Sequence, residues 1–158
     1  MIDGSLGPLE FDTMRLAKCF IGLMAVFVGG CSDGGPPTAP VDGVVTYQGK
    51  PVQYAVVMFF PQNVPGAVTG MAQTDAEGKF SNLMAGGSSS GEAVVGTHSI
   101  TVTEGWPPGE EIPMDASGMQ KNPPRGPWGQ KYRDSSNPAI KVEVVAGQDN
   151  HFEWELSE

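Results

Sequence analysis

Two cysteines occur in 158 residues, Cys19 and Cys31, and both lie in the first fifth of the chain. Whatever folds beyond them has no thiol. That excludes a disulfide framework and a zinc site built on thiolates. Positive charge is also scarce: 9 Lys+Arg stand against 18 Asp+Glu, a formal net charge of −9. A nucleic-acid binder needs a basic stripe to meet phosphate, and a polybasic membrane contact needs clustered lysine or arginine. Neither is present. Metal cations or basic partners fit the charge, but a solvated acidic surface is its plainest reading. Histidine is limited to His98 and His151. Charged residues make up 17%, low for a soluble domain. The abundant residues are 22 Gly and 14 Pro, which make turns dense and exclude long helices. The length suits one domain.

The N-terminal part reads as an address. From Met14 the sequence is MRLAKCFIGLMAVFVGGCS. Arg15 and Lys18 form a short basic region, and Cys19 to Val28 is an apolar run of ten residues. That run suits the core of a secretion signal and is too short for an ordinary transmembrane helix. The acidic residues Asp3, Glu10 and Asp12 make 1–13 a poor signal start, so Met14 is the expected true start. Val28-Gly29-Gly30-Cys31 resembles the bacterial lipobox, with Val28 and Gly29 as mild departures from its usual form. The resemblance implies cleavage between Gly30 and Cys31, diacylglyceryl on the Cys31 thiol and acylation of the new amino group. Each buried methylene is worth roughly 0.8 kcal/mol, so several acyl chains hold firmly. Residues 31–40 then comprise the lipidated cysteine and a Gly/Pro/Ser tether without apolar periodicity, expected to be disordered. By analogy with a known sorting rule, Ser32 in place of aspartate points to the outer membrane. Cleaved before Cys31, the chain keeps 7 Lys+Arg and 15 Asp+Glu, a net −8.

The remainder reads as short strands. Val41–Tyr47 is β-rich, and Gln48-Gly49-Lys50-Pro51 is a turn. Val52–Phe60 is apolar on both faces: Ala55, Val57 and Phe59 on one, Val56, Met58 and Phe60 on the other. Val68–Thr74 is a strand; Asp75-Ala76-Glu77-Gly78 turns the chain, and Lys79–Leu83 is expected to pair back as a hairpin. Ala85–Gly91 reads as a flexible connection. Thr97–Thr103 alternates, with His98, Ile100 and Val102 inward and Thr97, Ser99, Thr101 and Thr103 outward. Residues 104–130 hold Trp106 and Trp128 among many prolines and have no period, so they form a long loop. Ala139–Val145 and His151–Leu156 alternate again and are expected to form a last hairpin. The fold class is all-β: an antiparallel Greek-key β-sandwich of about seven strands.

Several segments together resemble a known family. Val41-Asp42-Gly43-Val44-Val45-Thr46, Gly49-Lys50-Pro51-Val52 and Ala55-Val56-Val57 look like the opening of carboxypeptidase regulatory-like domains, which are transthyretin-like (prealbumin-like) sandwiches. Thr74-Asp75-Ala76-Glu77-Gly78-Lys79-Phe80 looks like their T-D-x-x-G-x-F turn, and Gly96-Thr97-His98-Ser99-Ile100-Thr101-Val102 like one of their strands. The combination is similar to small transthyretin-like bacterial lipoproteins and spans 41–156. Apart from any family, Gly78 supplies positive φ after an acidic turn, and Asp75 can accept backbone N–H bonds across it. Both are fold-making positions.

A catalytic constellation is not visible. A triad needs a nucleophile, a base and an orienter, and no His-x-His, His-Glu-x-x-His or cysteine cluster occurs. His98 reads as a satisfied core histidine, and His151 as exposed. Tyr132-Arg133-Asp134-Ser135 is similar to the terminal Tyr-Arg-Gly-Ser of hydroxyisourate hydrolases. Here it is internal, has Asp134 for glycine and lacks the histidine set, so Arg133-Asp134 reads as polar loop structure. Asp75, Glu77, Asp115, Asp134 and Asp149 sit at turns, but no loop offers the six to eight or so oxygens that calcium takes. No cofactor or metal is expected. The expected role is a non-catalytic binding or structural module, lipid-anchored through Cys31 and facing the periplasm or exterior. Its partner would be a protein or glycan; support of a partner enzyme or envelope complex is the alternative, and an independent hydrolase the least favoured reading. The candidate binding surface comprises Trp106, Trp128, Val56, Met58 and Phe60. The competing reading has 104–130 folded back over the outer face of Val52–Phe60.

Overall fold

The computed structural model describes residues 35–158. Among them are eleven strands and one 3-10 turn, Gln130–Tyr132. The strands are β1 (Thr38–Tyr47), β2 (Lys50–Pro51), β3 (Val56–Pro61), β4 (Gly70–Gln73), β5 (Lys79–Phe80), β6 (Met84–Ala85), β7 (Ser88–Ser89), β8 (Glu92–Val94), β9 (Gly96–Thr103), β10 (Ile140–Val144) and β11 (Asn150–Leu156). They form two mostly antiparallel sheets, and the fold is a β-sandwich.

The first sheet is organised by β1, which changes partners along its length. It pairs with β8 at Thr38–Pro40, β5 at Gly43–Val44 and β2 at Thr46–Tyr47, all antiparallel, and with β11 in parallel from Val41 to Tyr47. The second sheet is antiparallel throughout, in the order β10-β9-β3-β4-β6-β7. Period-2 apolar residues of both sheets meet between them. Phe59 of β3 lies 6.0 Å from Phe80, 6.3 Å from Phe152 and 6.1 Å from Trp154 between ring centroids, so one second-sheet ring touches three rings of the first. Gly43 makes room for this cluster: a Cβ there would sit 2.7 Å from the Phe80 ring and 2.1 Å from the Phe152 carbonyl oxygen.

Several sequence expectations are corrected. Strand β3 begins at Val56, because residues 52–55 form a turn with Tyr54 at φ +55°. The buried Thr74 hydroxyl holds that turn, accepting from the Ala55 N–H at 2.8 Å and donating to the Val52 carbonyl at 2.7 Å. The 74–79 turn does not close a hairpin: β4 pairs within the second sheet and β5 with β1, so the chain crosses between sheets there. Residues 85–91 are no loose connection. Strands β6 and β7 pair across Gly86-Gly87, whose φ values of +57° and +84° suit a tight primed turn. Nor do β10 and β11 form a hairpin; β10 pairs with β9, and β11 runs parallel to β1. Asn150 sets that departure. Its side chain accepts from the Val145 N–H and donates to the carbonyls of Val145, Gln148 and Pro40, which fastens the turn to the first sheet. The parallel β1–β11 pair also departs from a purely antiparallel sandwich. The strand count exceeds seven because two-residue strands carry no readable period. The end of the expected tether is structured too: Thr38–Pro40 belong to β1.

Candidate functional site

The outer face of the second sheet is where the long segment and the sheet meet. On that face β3 presents Val56, Met58 and Phe60, and β4 presents Met71 and Gln73, with Val56 opposite Gln73 and Met58 opposite Met71. Met84 of β6 lies opposite Met71. Ser99 and Thr101 of β9, expected to face solvent, are buried. They stand in register with Phe60 and Met58, whose long side chains flank them.

Residues 104–130 begin by folding onto this face. Gly105 passes so close that a Cβ would lie 2.2 Å from the Tyr54 carbonyl oxygen and 2.7 Å from the Gln73 amide. That amide donates to the carbonyls of Tyr54 (3.0 Å) and Trp106 (2.8 Å), tying segment to sheet. The Trp106 indole N–H donates to the Lys121 carbonyl at 3.3 Å. Between them the Asp115 carboxylate accepts from the N–H groups of Ser117 and Met119, and a bridge joins Met114 to Gln120. An aperiodic sequence is thus organised by its own turn chemistry.

The base of the segment is closed by Glu104 and Arg133. Arg133 is ion-paired with Glu104 and donates to the carbonyls of Trp128 (2.7 Å), Gly129 (3.1 Å) and Gly126 (3.1 Å). Glu104 also accepts from the Gly126 N–H at 2.6 Å. The guanidinium lies 5.0 Å from the centre of the Trp128 ring, over its face. Trp128, expected on the binding surface, is buried in the core, with its indole N–H donating to the Val102 carbonyl at 3.2 Å. An indole can be buried when its N–H finds an acceptor, and the strand backbone supplies one.

Between sheet and segment opens a cleft of about 760 Å³. Val56, Met71, Met84, Trp106, Ile112 and Pro123 give it apolar walls, while Gln73, Asp75, Lys79, Asn82 and Glu104 supply polar groups. This is the composition of a small-ligand or side-chain pocket: apolar lining with a few orienting polar groups. Of the expected surface residues, Val56 and Trp106 line it together. Met58 and Phe60 are partly buried on the same face and do not line it. Sequence reasoning missed Met71 and Gln73, although the alternation of Gly70-Met71-Ala72-Gln73 carries the signal. It had no means of finding Ile112 or Pro123.

The other singled-out residues lie elsewhere or play structural parts. The Asp75 carboxylate accepts from the N–H groups of Glu77 (2.9 Å) and Lys79 (2.8 Å), and Gly78 has φ +73°. His98 is buried against Phe59, with Nδ1 3.0 Å from the Gly96 carbonyl oxygen. Burial lowers its pKa, against the opposing pull of that carbonyl and Glu143. His151 is on the first sheet, 2.5 Å from Asp42 and 3.5 Å from Glu153; its hydrogen bond to Asp42 leads the causes that raise its pKa. Neither histidine lines the cleft. Among the described residues no group of three or more His, Cys, Asp and Glu side chains is placed to hold a metal ion. None of their helices is long and apolar enough to cross a membrane. Gly30 and Cys31 lie outside the described residues.

No family model matches the chain. No curated protein matches it either. Among solved structures it is similar to a DUF3823 family protein from Parabacteroides merdae ATCC 43184, at 15% identity and a TM-score of 0.43. The alignment covers 77% of this chain and 47% of that one, so this chain spans about half the length of that structure. A likeness this slight bears on neither function nor partner.

Proposed function

We propose that the protein is a lipid-anchored, non-catalytic binding module of the bacterial cell envelope, a transthyretin-like sandwich that engages a protein or glycan in the cleft beneath residues 104–130. The observation that carries this reading is the cleft, with Trp106 and Val56 on its walls and polar groups around them. Its far wall is the proline-rich segment clamped at its base by Glu104 and Arg133, so the pocket exists before any ligand arrives. Preformed pockets avoid an ordering cost on binding. The signal-like run ending at Cys31 supports the anchor. From Cys31 to the first strand at Thr38 the chain reaches at most about 25 Å, which keeps the module near its membrane.

Photo-crosslinking in a bacterium tests the cleft. A photoreactive residue replaces Ile112 at its wall or His151 on the other sheet. A discrete adduct is expected from position 112, reduced at least tenfold by Trp106→Ala, and none from 151. Equal adducts from both positions, or no dependence on Trp106, contradict the proposal.

A further inference from the structure

Residues 35–158 contain five methionines, Met58, Met71, Met84, Met114 and Met119, and none belongs to the buried core. Methionine ordinarily serves as an adaptable core filler, so its complete placement outside the core is informative. Three of the five stand side by side. Met58 on β3 is directly opposite Met71 on β4, and Met71 is directly opposite Met84 on β6. The row ends in hydroxyls, Thr101 opposite Met58 and Ser89 opposite Met84. Neighbouring strands lie about 4.8 Å apart, so a point above Met71 is one strand spacing from each flanking methionine. The side chain has three rotatable bonds, enough for the outer two to lean toward that point. Met71 and Met84 are 43% and 48% exposed and line the cleft, so the point is reachable from solvent.

We infer that this row is a site for a soft monovalent metal ion, Cu(I), held by the thioether sulfurs of Met58, Met71 and Met84. Thioethers are soft, uncharged donors that suit Cu(I), whereas zinc takes thiolate, imidazole or carboxylate and calcium and magnesium take oxygen. They carry no proton to lose, so binding needs no deprotonation, unlike a cysteine or histidine site. An apolar cleft wall alone does not require sulfur, because leucine would serve equally. Metal binding by this row does not depend on a partner in the cleft, whose presence Trp106 and position 112 report.

The test uses the full chain with methyl-13C methionine, its resonances assigned by single Met→Leu variants. The probes are Ag(I), a redox-inert stand-in for Cu(I), and Cu(I) itself in anaerobic competition with a chromophoric chelator. One ion per chain is expected, moving the Met58, Met71 and Met84 methyl signals and leaving Met114 and Met119 unmoved. Met71→Leu and Met84→Leu should each weaken Cu(I) binding at least tenfold with unchanged circular dichroism, and Zn(II) should move nothing. Absence of a shift, equal shifts at all five methyls, or affinity unchanged in both leucine variants overturns the site.

Discussion

Arg133→Ala is expected to destabilise the domain by about 3–5 kcal/mol, the usual cost of stripping one partner from a buried ion pair. The side chains of Arg133 and Glu104 are only 8% and 14% exposed. Removing the guanidinium leaves a carboxylate facing little water, takes a donor from three backbone carbonyls, of which Gly129 keeps the Tyr132 N–H, and uncovers the Trp128 face. Against a typical domain stability of about 5–15 kcal/mol, that corresponds to a melting-temperature drop on the order of 10–20 °C. The pH dependence carries a sign that a mere packing defect lacks. Burial works to raise the Glu104 pKa, but hydrogen bonds from Arg133 and the Gly126 N–H outweigh it, and the carboxyl sits below its ordinary value. In the wild type the contribution is present above the unfolded carboxylate value and is lost as pH falls through the lowered native one. Without Arg133 only the backbone hydrogen bonds from Gly126 and Glu104 still oppose burial, so the variant gains less stability than the wild type as pH rises. Denaturant unfolding of both proteins should therefore show a gap that is widest near neutrality and narrows below about pH 4. A gap that stays constant across that range, or one under about 1 kcal/mol, would mean that the pair does not clamp the segment.

Gly78→Val is the second costly change, expected at about 3–5 kcal/mol from backbone strain and overpacking together. Gly78 has φ +73°, a region that β-branched residues avoid. It is also wedged against β1: its carbonyl accepts from the Val45 N–H at 2.8 Å, and a Cβ would lie 2.5 Å from the Val45 carbonyl oxygen. Gly49 provides the control. Its φ is +70°, yet nothing lies within 4 Å of a Cβ there. Gly49→Val should therefore cost the backbone strain alone, about 1–3 kcal/mol. Equal melting temperatures for the two variants would show that the close approach to β1 is unimportant.

Legibility of the fold tracked local chemistry. Strand β11 alternates in sequence and in burial. Strand β9 alternates in sequence, but its polar face is covered as well, so Ser99 and Thr101 are buried too. Gly78 announced its own backbone. Partner choice was not legible. Nothing in Thr74–Phe80 says whether the strands beyond it stay in one sheet, and Asn150 reaches Pro40 across 110 positions. The candidate site was half readable for the same reason. Val56 and Trp106 were visible as apolar residues without an obvious place in the core. Trp128 looked equivalent until Val102 supplied an acceptor for its indole and Arg133 covered its ring. Arg133 read as loop polarity because its partner Glu104 lies at the far end of an aperiodic segment.

Detergent partitioning with intact-mass measurement of the mature N-terminus tests the membrane-anchored reading most directly. Expressed in a bacterium, the wild type is expected in the detergent phase, beginning at Cys31 and carrying the mass of its acyl chains. Cys31→Ser is expected in the aqueous phase with an unchanged circular dichroism spectrum, since the sandwich begins only at Thr38. Wild-type protein in the aqueous phase with an unmodified Cys31 would contradict the account.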